Sequence, residues 1–229
     1  MRARRGLIVG WVTVAAYAAL LAGVAIVAIA DRSDRPDVAP GDVSDEGVAE
    51  QLVAAWERSR LATFVASGTY ERRSLVSGAS IASEDVVVQR PPRRLHRQLG
   101  GVEGRDDDRL LVCPAPPDGA EEEDAQPCRL GAPGGRSYAA SVANEVEGLR
   151  SLIQGAGALY LVTAGAPGCF DLELVRIDPR APFGVEASFC FDAATGAPSG
   201  SRVRHEGGIE EIVVVTDIRT EVSDADLAP

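Results

Sequence analysis

Beyond residue 45 the apolar positions recur with two periods, a spacing of three to four in two segments and alternation in most of the others. Val48, Leu52 and Trp56 fall every four residues behind the cap candidates Ser44 and Asp45, which predicts an amphipathic helix to about Arg60. Tyr138, Val142, Val146, Leu149 and Ile153 stand at spacings of 4, 4, 3 and 4 and predict a second helix that stops at Gly155. Alternating or β-branched runs predict strands over 63–73 (broken near Gly68), 84–90, 94–99, 109–113, 158–163, 169–177, 185–191, 202–206 and 209–216. Pro91-Pro92 separates the second and third of these as a turn, because proline cannot donate to a ladder. Gly207-Gly208 reads as a two-residue hairpin turn, setting Val203 across from Ile212 and Arg204 across from Glu211. Short antiparallel strands with two one-sided helices make an α+β domain over residues 46–229: a curved antiparallel sheet covered on one face by helices.

The first 45 residues follow another pattern. Residues 6–30 carry no charge, long enough to cross a hydrocarbon core of roughly 30 Å. Arg2, Arg4 and Arg5 precede the run and Asp31, Asp34 and Asp37 follow it, so residues 1–5 are expected in the cytoplasm and everything after residue 30 outside. The run reads as a single-pass transmembrane anchor of the cell membrane. The alternative, a signal peptide cleaved after Ala28-Ile29-Ala30, exports the same domain. Leu21-Ala22-Gly23-Val24 has the form of a bacterial lipobox with valine in place of the cysteine that would carry lipid, or is a chance match in an apolar run. Residues 31–45, polar and proline-bearing, read as a disordered linker.

All four cysteines fall in the exported part, an even set suited to an oxidising compartment. Cys169 and Cys190 are equidistant from the Asp178-Pro179-Arg180-Ala181-Pro182 turn, so antiparallel pairing sets them opposite one another. The same register places Phe170, Leu172 and Leu174 against Phe189, Ala187 and Val185 on one face, and leaves Asp171, Glu173, Glu186 and Ser188 on the other. A slip of one residue scrambles that segregation. Cys169 is therefore expected to bridge Cys190, and Cys113 to bridge Cys128 by elimination. With no C-x-x-C pair and with His96 and His205 at unrelated spacings, no metal site is expected. The acidic run Glu121–Asp124 lacks the alternating ligand pattern of a calcium loop.

Charge and chemistry narrow the function. Against 34 Asp+Glu the chain has 23 basic residues, every one an arginine, and a formal net charge of -11, which argues against nucleic acid as a partner. There is no G-x-S-x-G elbow, no phosphate loop and little choice of general base with two histidines, so neither an enzyme nor a cofactor is expected. Arg90, Arg93, Arg94 and Arg97 form the one local basic cluster, suited either to an anionic lipid headgroup or to guarding an exposed strand edge. A concave sheet face capped by amphipathic helices can also hold an acyl chain. Leu52, Trp56, Val87, Leu111, Leu149, Ile153 and Leu161 are the lining candidates, and the same residues serve equally as plain core.

Three short motifs carry a resemblance: Phe64-Val65-Ala66-Ser67-Gly68-Thr69-Tyr70 after a Trp-bearing helix, Gln89-Arg90-Pro91-Pro92-Arg93-Arg94-Leu95 leading into paired strands, and the closing 221–227 segment Glu-Val-Ser-Asp-Ala-Asp-Leu. Together they resemble the LolA-like superfamily of lipoprotein carriers, mycobacterial lipid-binding lipoproteins and RseB-type sensors. The resemblance implies an open half-barrel of antiparallel strands closed by helices over a hydrophobic cavity. It implies a membrane-anchored lipid- or lipoprotein-binding protein whose partners are acyl chains, or an envelope sensor or accessory module that binds a neighbouring membrane protein. Val24 and the two expected disulfides depart from the family pattern.

Overall fold

The computed structural model describes residues 46–113, 128–131, 135–178 and 181–229. The expected membrane run at 6–30, the 31–45 linker, the cap candidates Ser44 and Asp45, and the acidic run at 121–124 lie outside the described residues. Among the described residues no helix is long and apolar enough to cross a membrane.

Helix α1 (Glu46–Leu61) and helix α2 (Tyr138–Ile153) form where the four-residue spacing placed them. Ser137 caps α2 by accepting a hydrogen bond from the Ala140 amide (3.3 Å), and Asp107 accepts from the Tyr138 amide (2.9 Å), which satisfies two of the amides a helix start leaves open. The C-terminal end of α1 is served by the sheet. The fully buried Gln89 side chain donates to the Ser59 and Ala62 carbonyls at 2.7 and 2.8 Å, locking the helix end to a central strand.

The strands are β1 (Phe64–Ser74), β2 (Ser80–Arg90), β3 (Arg93–Gln98), β4 (Gly101–Asp106), β5 (Arg109–Cys113), β6 (Arg129–Leu130), β7 (Tyr160–Ala164), β8 (Cys169–Leu174), β9 (Glu186–Phe191), β10 (Pro198–Arg204) and β11 (Ile209–Arg219). They build one open antiparallel sheet ordered β6-β5-β4-β3-β2-β1-β11-β10-β9-β8-β7. Two meanders thus meet in the middle, where the first and last strands pair.

Three differences from the sequence reading have local causes. Gly68 does not break β1; it sits at a bulge against β11, where a Cβ would collide with the Val214 carbonyl oxygen. Strand β4 was hidden because its glycines read as loop. Gly104 is in the ladder because a Cβ there would run into the Leu95 side chain and the Arg94 carbonyl. The last hairpin turns on three residues rather than two, with His205 and Ile209 bonded across Glu206-Gly207-Gly208, so Val203 faces Glu211 and Arg204 faces Glu210. Both glycines still take positive φ, but a three-residue loop shifts the register by one.

The expected cysteine register holds. Cys169 pairs with Cys190, Phe170 with Phe189 and Leu172 with Ala187, and both disulfides, 169–190 and 113–128, are formed.

The main core lies between the two helices and the β7–β9 half of one sheet face. Leu52 and Val53 of α1 and Val146, Leu149 and Ile153 of α2 meet Tyr160, Val162, Leu172 and Leu174 there. The other face of β1–β3 is covered by the C-terminal segment. Leu227, 1% exposed, packs with Val65, Val88 and Leu95, flanked by Val222. Arg219 and Ser223 bind the Asp226 carboxylate and Arg90 binds Asp224, so both carboxyls sit below the usual aspartate value. A carboxylate lowered by its partners stabilises the fold at pH above its ordinary value, and that contribution disappears as pH falls through the folded value. The C-terminal segment is therefore expected to stay seated near neutral pH and to detach in acid, below about 3.8, ahead of the central sheet. Methyl NMR of Leu227 against pH checks this; a Leu227 signal that changes only together with the β1 and β11 methyls would refute it.

Candidate functional site

Strand alternation decides which side chains reach the helix-covered face. From β2 these are Asp85, Val87 and Gln89, and their cross-strand partners on β3 are Gln98, His96 and Arg94. His96 and Arg94 in turn stand opposite Glu103 and Arg105 of β4. This is a polar stripe running beneath the edges of α1 and α2. The signal for it was present in the two-residue period, but β4 was needed to complete it.

Two hollows open on this face, and Arg60 of α1 lines both. The smaller, about 140 Å³, is mostly apolar: Trp56 roofs it, and Ala66, Val87, Phe189, Phe191 and Val215 form much of the rest. The indole ring packs edge-on to Phe189 and Phe191 at centroid distances of 5.2 and 6.2 Å and lies 5.9 Å from Phe183. Its polar edge is held as well. Trp56 Nε1 donates to Glu145 Oε1 (2.9 Å), Arg60 binds the same carboxylate (2.6 Å), and the Arg60 guanidinium carbon lies 5.1 Å from the indole centroid. Burial pushes the Glu145 carboxyl up, but the Arg60 and Trp56 hydrogen bonds and the Arg60 charge outweigh it and hold the group below its usual value. The roof is thus pinned to α2 by a charged bond.

The larger hollow, about 250 Å³, lies between the helices and β3–β5. Arg60, Tyr138, Ser141 and Glu145 form its helix side, and Arg94, His96, Glu103 and Arg105 its sheet side. Most of these groups are partnered. The Tyr138 hydroxyl donates to the Arg60 carbonyl (2.6 Å), and burial raises its pKa. His96 meets the buried Asp85 carboxylate at 2.7 Å, and Gln98 donates to the same oxygen at 2.9 Å. Arg105 binds the Asp107 and Arg136 carbonyls. Arg94 differs: its Nε is sealed from solvent with no hydrogen-bond partner, and among the described residues its guanidinium forms no ion pair. Burial, with the Arg60 charge adding to it, lowers the Arg94 pKa to about 10, so it stays charged at neutral pH.

The sequence-derived candidates divide among several places. Trp56 and Val87 line the apolar hollow. Leu52, Leu149 and Ile153 are closed inside the core between helices and sheet. Leu111 lies on the opposite face, against the cluster that seats Leu227. Leu161 borders a depression of about 370 Å³ among charged side chains of β8–β10, away from the helices. The arginine cluster is split by alternation as well. Arg90, Arg93 and Arg97 all reach the C-terminal segment, through the Val222 carbonyl (3.2 Å), the Leu227 carbonyl (3.4 Å) and the Asp226 and Ala228 carbonyls (3.1 and 2.5 Å). Only Arg94 points under the helices. Arg60 and Glu145 were not singled out as site residues from the sequence, because a solvated helix face offers no signal until a second helix packs beside it, and Tyr138 was read only as the start of the apolar stripe of α2. Among the described residues no group of acidic, histidine and cysteine side chains is placed to hold a metal ion.

No family model and no curated protein matches the sequence. Solved structures do resemble it in fold. One is the MucA/MucB complex of Pseudomonas aeruginosa, with 17% identity and a TM-score of 0.42, covering 80% of this chain and 61% of that one. A LolA superfamily protein from Nitrosomonas europaea matches at 8% identity and a TM-score of 0.33, over 80% of this chain and 98% of that one. An outer membrane lipoprotein-sorting protein domain from Vibrio parahaemolyticus matches at 11% identity and a TM-score of 0.24, over 78% and 97% of the two chains. The chain therefore spans under two thirds of the MucB-containing match.

Proposed function

We propose that the protein is a membrane-anchored extracytoplasmic binding module, without catalytic activity, that takes an apolar group of a lipid or lipoprotein between α1 and the sheet. The observation that carries this reading is the apolar hollow beneath Trp56. Its walls come from five strands and one helix, and its roof is an aromatic ring held in place by the Glu145 bond. An engineered apolar cavity of about 150 Å³ holds one benzene. The hollow is therefore matched to the end of an acyl chain, while pockets for whole drug-sized ligands run to about 300–1,000 Å³. A second reading rests on that same volume: an envelope sensor or accessory module whose hollow receives one aromatic or aliphatic side chain of a neighbouring membrane protein. Both readings use the hollow as a socket, and neither needs bond-making chemistry.

Trp56 itself reports the test. The only other tryptophan is Trp11, so the full chain carrying Trp11→Phe, in phosphatidylcholine nanodiscs, gives emission from Trp56 alone. Uncharged 6-bromohexanol is expected to quench it saturably and to be displaced by hexanol, and Val215→Phe, which fills the hollow, is expected to remove the saturable component. Quenching that rises linearly with the probe and is the same in the Val215→Phe variant would sink the proposal.

A further inference from the structure

Among the described residues, the arginine that points under the helices forms no ion pair and has a buried, partnerless Nε. Arg90, Arg93 and Arg97 are engaged by the C-terminal segment, Arg60 by Glu145, and Arg105 by two backbone carbonyls. The Arg94 Nε is buried with no partner, in the floor of a hollow of about 250 Å³. A buried N–H without an acceptor is costly, and the rest of the guanidinium borders the hollow, where an anion would supply both the missing acceptor and a counter-charge. Its planar fork of donors matches the two oxygens of a carboxylate or a phosphodiester.

Charge around the hollow sets the ligand's valence. Arg60, Arg94 and Arg105 face Glu103 and Glu145, and the His96 ring is occupied by Asp85. Three cations against two anions leave one positive charge to be neutralised. A second donor is at hand: the Ser141 hydroxyl borders the same space from α2, and the neighbouring Tyr138 hydroxyl is already spent on the Arg60 carbonyl. The size of the hollow leaves room for more than the anionic group itself.

We propose that the hollow between the two helices and β3–β5 binds a singly charged oxyanion, a carboxylate or phosphodiester, held by the Arg94 guanidinium with Ser141 as second donor. The inference deepens the binding-module reading and rests on it for the ligand's character. Arg60 borders both hollows, so the anion site and the apolar hollow beneath Trp56 are neighbours. The source of the anion is either a small free molecule or a lipid headgroup, which share this chemistry.

The test uses the full chain in an uncharged detergent with dimethyl phosphate, acetate, dihexanoylphosphatidylglycerol and, as the uncharged control, trimethyl phosphate. The Arg94 Nε–H resonance is expected to shift saturably with at least one of the anions and not with trimethyl phosphate. By calorimetry, Arg94→Gln is expected to weaken binding by about tenfold or more, Arg94→Lys by less, and Arg97→Gln not at all. Binding of dimethyl phosphate or acetate assigns a small anion as sufficient; binding of the phosphatidylglycerol alone assigns a headgroup. Equal response to trimethyl phosphate and the anions, no response to any of the four, or unchanged affinity in a folded Arg94→Gln variant would overturn the site. If 6-bromohexanol still quenches Trp56 saturably in that preparation, the anion site fails and the binding-module reading stands.

Discussion

Replacing Ile153 with alanine is expected to lower the unfolding free energy by about 2–5 kcal/mol, the cost of removing a buried aliphatic side chain and leaving a space the surroundings only partly close. Ile153 is 0% exposed and sits among Leu52, Leu149 and the inner residues of β7 and β8, where α2 ends against the sheet. For a domain of this size the loss corresponds to roughly 5–15 °C in melting temperature. The same measurement separates core from cavity. A residue that lines a ligand-filled space gives up little stability when shortened and much affinity; Ile153 is placed to do the reverse, as are Leu52 and Leu149. Thermal denaturation of Ile153→Ala alongside the bromohexanol titration checks both. A variant that melts within 1 °C of the parent yet loses the saturable quenching would move Ile153 from the core into the binding hollow.

Removing the 169–190 disulfide is expected to cost about 3 kcal/mol on the chain-entropy account, given the sequence separation of 21 between the cysteines. This bridge joins directly opposed residues of β8 and β9, and Phe170 and Phe189, next to it in the ladder, stand beside the aromatic cluster around Trp56. Its loss therefore loosens a wall of the apolar hollow as well as the unfolded-state constraint. The 113–128 bridge spans 15 residues, and the same account gives it a similar worth, but it ties β5 to the short edge strand β6. Its removal is expected to fray that edge and leave the Trp56 hollow intact. Urea denaturation of Cys169→Ser/Cys190→Ser and of Cys113→Ser/Cys128→Ser, each read by Trp56 emission in the Trp11→Phe background, distinguishes the two. Identical folded-state Trp56 spectra in both double variants would contradict this assignment of the first bridge to the hollow's wall.

Much of the architecture was legible because local patterns carry it. The four-residue spacing of Tyr138, Val142, Val146, Leu149 and Ile153 describes α2 almost to the residue, because an amphipathic helix must show its buried stripe in the sequence. The cysteine pairing was legible for a related reason. In a strand every second residue faces the same way, so a register that segregates Phe170, Leu172 and Leu174 from Asp171 and Glu173 also sets Cys169 against Cys190. Glycine-bearing elements were not legible. Gly104 looks like a loop residue until Leu95 is known to need its space, and the Gly207-Gly208 pair does not say whether a third residue joins the turn.

The sequence by itself therefore determined the two helices, most of the strands, the disulfide pairing and the α+β class, all consequences of period and of side-chain direction within one or two adjacent elements. Only the tertiary structure decided which arginine is left without a partner. Arg90, Arg93, Arg94 and Arg97 are near neighbours in the chain, yet three of them bind a segment about 130 residues away while the fourth turns beneath the helices. Electrostatic matching depends on what arrives from distant parts of the chain, and no local pattern records that. The same holds for the hollow under Trp56, whose walls are gathered from strands at both ends of the domain.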